Sequence, residues 1–333
     1  MTQTLKTTRR ATRRAITLAL LSAAAAALAP ATALAQSDAK PIRFVLPNAT
    51  GSGVDAITRA AQPALAKALG RPVVVDNQPG AGGIVGLQAI ARSAPDGSTL
   101  GVVSNNVVIF PSVLKSMPFD IPGDFTPIAV VGSTPVVLVV NAKVPAANAK
   151  EFVALLLQRK GDLTYGSGGN GTILHLAGQQ FLEESHTTAR HIPYKGVGPM
   201  VTDLIGGQID FAVVALPSVQ QHLASGALKA IGMGTAQRVA AAPNIPTMTE
   251  QGLPGYVVEA WFAVIGPKGL PAAEVQRAHA AVVAAFNDPA TKEAMAKQGN
   301  VINVGAPDKA MPFFRAELAR YAQLVKKAGV EAQ

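Results

Sequence analysis

The chain contains no cysteine among its 333 residues. This absence excludes disulfide bonds, thiolate zinc sites and cysteine nucleophiles. A chain without disulfides depends on its hydrophobic core for stability, and a chain of this length can bury a large core. The length also favours two domains over one.

Charged residues are scarce, at 15% of the chain against 49% hydrophobic residues. Such a composition is typical of well-packed globular proteins and excludes a disordered one. The formal net charge is +9, and it falls to +4 without residues 1–35, which hold five basic residues and no acidic one. No run of lysine or arginine follows, so nucleic acid binding is not indicated. A modest positive charge favours small anionic ligands.

The first 35 residues have the pattern of an export signal. Four arginines precede an apolar run from Ala15 to Leu28, and Ala33-Leu34-Ala35 forms a small-residue cleavage site. The run is shorter than the ~20 apolar residues that a membrane anchor needs. We predict cleavage after Ala35 and a location in the periplasm. The Arg13-Arg14 pair is compatible with twin-arginine export as well as with ordinary secretion.

Strand-like and helix-like runs alternate after residue 40, which predicts an α/β fold with largely parallel sheets. The predicted strands cover 42–46, 73–76, 99–103, 128–131, 136–140, 163–165, 189–192, 211–215, 228–233 and 261–265. The predicted helices cover 54–69, 83–92, 148–159, 172–184, 197–205, 271–286, 289–298 and 308–328. Pro63 lies inside the first of these helices and predicts a kink or a shifted boundary.

Two strand-like segments indicate how the chain is divided. Residues 136–140 lead into a second series of strands and helices, and residues 261–265 lead into helices only. A chain that leaves one lobe at the first segment and returns at the second forms two lobes, two crossings and a cleft between them. We predict a first lobe of residues 36–140 plus 262–333, and a second lobe of residues 141–261.

The stretch Thr50-Gly51-Ser52-Gly53 lies between the first predicted strand and helix. Such a turn can bring an anion or polar group to the amides at the start of the helix. It is also compatible with a tight turn in which Asp55 stabilises the first helical turn. No Lys-Ser or Lys-Thr pair follows the glycines, which excludes a Walker loop.

Two further glycine-rich turns follow strands. "NQPGAGGIVG", residues 77–86, lacks the glycine spacing of a dinucleotide-binding loop and the acidic residue expected about 20 residues later, so we interpret it as a helix start that lines the cleft. "TYGSGGNGT", residues 164–172, repeats the order strand, turn and helix. If the lobes face each other, this turn opposes the one at 50–53, and two helix N-termini converge on one ligand.

Catalytic signatures are missing from the sequence. Neither a G-x-S-x-G elbow nor an H-E-x-x-H metal motif is present among the serines and the five histidines. His175, in the first turn of a predicted helix, fits either a ligand contact or local packing. We interpret His191, at a strand end, as structural. The sequence predicts no cofactor and no metal site.

Several motifs in one order give the chain a family resemblance. They are "GSGVD", "RPVVVDNQPGAGG", "APDGSTL", "YGSGGNGT", "IPYKG", "TDLIGGQID" and "AWFAVIGPKGLP". Over residues 40–330 the chain closely resembles the Bug/TctC family, the periplasmic solute-binding proteins of tripartite tricarboxylate transporters. The resemblance implies an α/β, two-lobed periplasmic binding protein fold that is type II-like, with two hinge crossings. It also implies no catalysis, no cofactor, a monomer, and delivery of a small carboxylate to a membrane permease with a large and a small subunit.

The resemblance also implies where the ligand is bound. In the family the ligand lies between the lobes, held by the loop after the first strand and by the glycine-rich turn that opens the second lobe. Carried over to this sequence, the expected contacts are Thr50, Gly51, Ser52, Gly53, Asp55, Ser104, Asn105, Ser167, Gly168, Asn170, Gly171, Thr172, His175, Ala215 and Leu216.

The sequence departs from the family pattern at three places in the expected site. Asn48-Ala49-Thr50 replaces part of a Pro-Gly-rich loop, and Val54 stands where a hydroxyl residue is common. Val213-Val214-Ala215 replaces a segment that is polar in many members. The apolar replacements predict a ligand with an apolar body, such as an aromatic or aliphatic carboxylate. Two alternatives stay open, a sensor that signals to a membrane partner and an exported α/β enzyme.

Overall fold

The computed structural model describes residues 40–327, 330 and 332. The predicted export signal, with its cleavage site after Ala35, lies outside the described residues. The strands are β1 (Ile42–Leu46), β2 (Val73–Asn77), β3 (Thr99–Ser104), β4 (Phe125–Thr134), β5 (Val136–Asn141), β6 (Thr164–Ser167), β7 (Arg190–Pro193), β8 (Phe211–Ala215), β9 (Leu228–Met233), β10 (Ala260–Pro267) and β11 (Val301–Ile302).

The α-helices alternate with these strands through most of the described chain. They are α1 (Gly53–Leu69), α2 (Ile84–Ala91), α3 (Asn106–Val113), α4 (Ala149–Arg159), α5 (Ile173–Glu184), α6 (Val197–Gly206), α7 (Gln220–Ala224), α8 (Ala272–Asn287), α9 (Pro289–Gln298) and α10 (Pro307–Lys327).

The strands form two separate sheets, one for each lobe. The first lobe contains six strands in the order β11-β4-β10-β3-β1-β2, and the second contains five in the order β7-β6-β8-β5-β9. The two lobes and the α/β class confirm the predicted fold. The prediction of largely parallel sheets was wrong, because β10 and β11 in the first sheet and β5 in the second pair antiparallel with their neighbours. β5 and β10 each follow a direct crossing between the lobes, so no crossover helix within the same sheet precedes them.

The first crossing between the lobes consists of one residue, Pro135. It separates β4, in the first sheet, from β5, in the second. The prediction had grouped residues 136–140 with the first lobe, but these residues pair with β8 and β9 of the second sheet. All of β5 is buried, and a continuous apolar strand carries no signal of the sheet to which it belongs. The return crossing leads into β10, which begins at Ala260.

Helix α1 shows how local sequence sets the boundaries of an element. Its N-cap is Ser52, whose side chain accepts a hydrogen bond from the Asp55 amide, and its C-cap Gly70 is left-handed, with φ of 63°. Pro63 lies inside the helix and does not shift either boundary. Pro63 is exposed, and the apolar face with Ile57 and Leu65 is buried. Burial of this face outweighs the loss of one backbone hydrogen bond.

Helices cover both sheets and place the ends of the strands at the interface between the lobes. In the first lobe α8 packs on α1, and α10 packs on α3 and β4. In the second lobe, β5 and β8 are buried along their whole length. α3, α7 and β11 were not predicted from the sequence. Helix α3 has no polar face and contains Pro111, so neither amphipathic periodicity nor helix propensity indicated it.

Candidate functional site

A cleft that is partly open to solvent lies between the two lobes. The first lobe contributes the turns that follow β1, β2 and β3, and the second contributes the turns that follow β6, β7 and β8. In open α/β sheets, ligands bind at the carboxyl ends of the strands. The turn after β2, which the sequence predicts as a helix start in the cleft, lines this cavity through Pro79, Gly80, Gly82 and Gly83.

The turn after β1 is held in place by the carboxylate of Asp55. Asp55 Oδ2 accepts a hydrogen bond from the Gly51 amide at 2.9 Å, and Oδ1 accepts one from Arg59 Nε at 2.8 Å. Asp55 is buried and is therefore occupied within its own loop. The amides of Gly53 and Val54, in the first helical turn, have no intrahelical acceptor, and both residues line the cavity.

Glycine at position 53 is required by a close approach between the lobes. A Cβ added there would lie 2.8 Å from the Cβ of Ala215, which ends β8 in the second lobe. That separation is shorter than van der Waals contact, so a larger residue would push the lobes apart. The second lobe therefore rests directly against the start of α1.

The turn after β6 is supported by two stacked imidazoles. The rings of His175 and His191 lie 4.0 Å apart at an interplanar angle of 13°. His175 Nδ1 accepts a hydrogen bond from the Gly171 amide at 3.1 Å, and His191 Nε2 is hydrogen bonded to Ser167 Oγ at 2.7 Å. The structural interpretation of His191 agrees with this geometry, and His175 has the packing role that the sequence left open.

Burial keeps both imidazoles neutral. It lowers the pKa of His175 from its ordinary value to about 4. For His191, burial and the neighbouring His175 lower the pKa to about 3. Because Nδ1 of His175 accepts a hydrogen bond, the ring proton of neutral His175 is on Nε2. The second turn is thus supported by uncharged groups.

Six of the fifteen predicted contacts line the cavity. They are Ser52, Gly53, Ser104, Gly168, Thr172 and Ala215. The structure therefore brings together the first turns of α1 and α5 from opposite lobes, as the sequence predicted. Nine predicted contacts lie outside the lining, namely Thr50, Gly51, Asp55, Asn105, Ser167, Asn170, Gly171, His175 and Leu216.

Two of these nine residues are part of the core. Leu216 is fully buried. Asn105 is also fully buried, and its Nδ2 donates to the Glu259 carbonyl at 2.9 Å and to the Tyr321 hydroxyl at 2.6 Å. Asn105 therefore connects the end of β3 to the return crossing and to α10. Sequence reasoning placed it correctly after the strand but could not determine the direction of its side chain.

Several residues that line the cavity were missing from the prediction. Lys195 and Gly196 come from the "IPYKG" motif after β7, and Asn106 begins α3. Lys195 is exposed and brings a positive charge to the cavity. Its signal in the sequence is the "IPYKG" motif itself, which is part of the family resemblance. A Cβ added at Gly196 would lie 2.5 Å from the Cβ of Ala49, so the lobes also meet here.

The walls of the cavity are largely apolar. Val54 and Ala215, two of the residues that depart from the family pattern, line it together with Val136, Leu174 and Val197. Two other departures, at positions 213 and 214, are fully buried within β8 and do not reach the cavity. The apolar character of the cavity therefore depends on fewer substitutions than the sequence predicted.

The described residues contain neither a candidate metal site nor a candidate membrane-spanning helix. No group of three or more histidine and carboxylate side chains there is arranged to hold a metal ion. Within the same part of the chain, no helix combines the length and the apolar character needed to cross a bilayer.

Comparison with known proteins gives consistent matches over most of the chain. The BugT protein of Bordetella pertussis is 34% identical over 295 residues, which is 88% of this chain and 90% of BugT. The structure of the periplasmic binding protein BugD superposes with a TM-score of 0.84 at 31% identity, covering 88% of this chain and 99% of BugD. Rpa4515 of R. palustris, solved with adipate, has a TM-score of 0.85 at 26% identity, covering 89% of this chain and 100% of that protein.

A family model described as the tripartite tricarboxylate transporter family receptor matches residues 57–330. This match spans most of both lobes, including the turns after β2 and β6 that line the cavity. Its members are receptors, which removes the enzyme alternative. The chain belongs to the TctC family of tripartite tricarboxylate transporter receptors.

Proposed function

We propose that this receptor binds a small carboxylate with an apolar body in the periplasm and delivers it to the large and small subunits of a tripartite tricarboxylate-type permease. One observation carries the proposal: two helices from opposite lobes begin at a single cavity whose walls are largely apolar. The relatives support the class of ligand, since Rpa4515 was solved with adipate and MatC of Rhodopseudomonas palustris with malate.

The carboxylate group is held by the starts of the helices. The amides of Gly53 and Val54 lie at the positive end of α1, and Leu174 lies in the first turn of α5. Each charge-assisted hydrogen bond contributes about 1.5–3 kcal/mol, and each helix end adds about 0.3–2 kcal/mol. Lys195 adds a positive charge to the cavity.

The apolar body of the ligand supplies the rest of the binding free energy. Micromolar affinity requires about 8 kcal/mol net, after the cost of immobilising the ligand. Two or three amide contacts do not reach this value alone. Burying the apolar part of the ligand against Val54, Leu174 and Val197 contributes roughly 25 cal/mol for each Å² removed from water. A highly polar tricarboxylate gains little from such walls.

Closure of the two lobes is coupled to ligand binding. Gly53 contacts Ala215, and Ala49 contacts Gly196, from opposite sides of the cavity. A ligand enters only when these contacts open, and it contacts both lobes only when they form. Ligand binding therefore shifts the population toward the closed state.

Calorimetric titration of the purified exported chain tests the class of ligand. We expect adipate and benzoate to bind with micromolar affinity and citrate to bind at least tenfold more weakly, because only the first two have an apolar body. Unfolding temperature provides a second readout, since a ligand that binds the folded state raises it. Tight binding of citrate with none of adipate or benzoate would contradict the proposal.

Uptake experiments separate transport from sensing. A strain without this chain should lose uptake of the labelled acid that binds in vitro, and plasmid-borne protein should restore it. The sensor alternative predicts unchanged uptake together with a lost transcriptional response to the same acid. The monomeric state and the periplasmic location are checked by light scattering and by cell fractionation.

A further inference from the structure

Asn106 makes a hydrogen bond between the two lobes at the cavity. It is the first residue of α3, directly after the turn that ends β3 in the first lobe. Its Oδ1 accepts a hydrogen bond from the amide of Ile173 at 2.8 Å, and Ile173 is the first residue of α5 in the second lobe. Both residues line the cavity. The first amides of a helix have no acceptor within the helix itself. Asn106 of the first lobe therefore provides the acceptor for the Ile173 amide of the second lobe.

The hydrogen bond fixes which end of the Asn106 carboxamide faces Ile173. The two ends of an asparagine side chain are usually difficult to tell apart. Here the backbone N–H of Ile173 can only donate, so the oxygen must face it. The nitrogen Nδ2, with two hydrogens, is therefore the end that can donate to another group.

The neighbouring residues of this turn offer no second carboxamide to the cavity. Nδ2 of Asn105 is already bonded to Glu259 and Tyr321, away from the cavity. Ser104 lines the cavity but has a short side chain with one hydroxyl. Asn106 is therefore the only carboxamide of this turn that combines a place in the cavity wall with a bond to the other lobe.

Contacts on either side keep Asn106 close to the second lobe. A Cβ added at Gly171 would lie 2.3 Å from Val113 Cγ2, at the far end of α3. A Cβ added at Gly169 would lie 3.4 Å from the Cα of Gly82, which belongs to the first lobe. Asn106 thus bonds Ile173 within a larger interface that forms when the lobes close.

We propose that Asn106 recognises the ligand carboxylate through Nδ2 while Oδ1 remains bonded to the Ile173 amide, so that one side chain couples ligand recognition to lobe closure. This inference rests on the proposed function and names a contact within the same site. An amide that donates a hydrogen bond becomes a stronger acceptor at its oxygen. A bound anion therefore strengthens the bond between the lobes, whereas a cationic ligand without an acceptor does not.

The substitution N106D tests whether Asn106 contacts the ligand or only forms a hydrogen bond between the two lobes. Aspartate keeps an oxygen for the Ile173 amide, but it replaces the donor with a second, negatively charged oxygen. We expect adipate affinity to fall by more than about 100-fold, because a charge-assisted hydrogen bond is lost and two carboxylates are brought together. The matched control is N303D, which adds the same charge at an exposed residue outside the cavity lining.

The variant N106A provides a second measurement without an added charge. We expect it to lose about 10- to 150-fold in adipate affinity and to open the ligand-free protein, which small-angle scattering detects as a larger radius of gyration. N106D should keep the compact form, because its bond to Ile173 remains. Thermal unfolding shows whether each variant is folded.

The outcomes distinguish this inference from the proposed function. If the unmodified chain binds no carboxylate, both are wrong. If it binds adipate, and N106D or N106A binds it as tightly, only the role of Asn106 is wrong. If N106D keeps full affinity while N106A opens the protein, Asn106 is a latch between the lobes and does not contact the ligand, which also overturns the proposal.

Discussion

The two turns that face each other across the cavity are stabilised by different chemistry. The turn before α1 is held by a charged pair, in which the carboxylate of Asp55 binds the Gly51 amide and the guanidinium of Arg59. The turn before α5 is held by neutral groups, the stacked rings of His175 and His191. Both arrangements leave the start of the helix facing the cavity, so two different sets of interactions support the same geometry.

Solvent access accounts for the difference. The side chain of Arg59 is 46% exposed, so the charge opposite Asp55 remains hydrated and the pair costs little to desolvate. His175 is 7% exposed and packs among aromatic rings. A charge there would be expensive. The second turn should therefore lose stability as the pH falls below the ordinary pKa of an imidazole.

The largest expected effect is a loss of stability on acidification, caused by the imidazole pair. The pKa of His175 is about 4 in the folded protein, against roughly 6.5 when unfolded. Between these two pH values the unfolded chain binds a proton that the folded chain does not, so the free energy of unfolding falls as the pH falls. At about 1.4 kcal/mol per pKa unit, His175 accounts for on the order of 3 kcal/mol.

Urea unfolding at a series of pH values measures this effect. H175Q keeps an acceptor for the Gly171 amide and cannot titrate, so its stability should depend less steeply on pH between 6.5 and 4. H222Q, on α7, should leave the slope as it is in the unmodified chain. An equal slope for H175Q and the unmodified chain would contradict the role of the buried ring.

A smaller effect is expected when the charged support of the first turn is removed. D55A loses the acceptor for Gly51 and the partner of Arg59. We expect a loss of about 2 kcal/mol in unfolding free energy at pH 7, within the range for removing one partner of a buried hydrogen bond. The control D308A removes an acidic residue from the first turn of α10, where the side chain is 70% exposed. It should cost less than about 1 kcal/mol.

The smallest effect concerns the contact between the lobes rather than either turn. G53A places a methyl group 2.8 Å from the Cβ of Ala215, so the closed state must shift while the open state is unaffected. We expect roughly a tenfold loss of adipate affinity, which is about 1.4 kcal/mol. G206A, where an added Cβ has no neighbour within 4 Å, should bind adipate normally.

The sequence predicted the elements that have strong periodicity and clear caps. Helix α1 begins within one residue of the prediction, because Ser52 and Gly70 mark its ends. The two glycine-rich turns follow β1 and β6, which lie in different sheets. Their order along the chain is readable from the sequence because a turn between a strand and a helix has a fixed position relative to its sheet.

The direction of individual side chains could not be predicted. Asp55, Ser167 and His175 lie in the predicted turns but bind the turns themselves rather than lining the cavity. Asn106 and Lys195 were missed because their roles depend on contacts with residues far away in the chain. Sequence position identifies the loop that forms a site, and tertiary packing decides which face of that loop is presented.

The single-residue crossing at Pro135 limits how the receptor can adapt to ligands of different size. One residue spans about 3.8 Å between neighbouring Cα atoms, and proline also fixes one of its two backbone angles. At this point the sheets cannot move apart to enlarge the cavity. A longer ligand therefore requires rotation about this crossing, which changes the angle between the lobes.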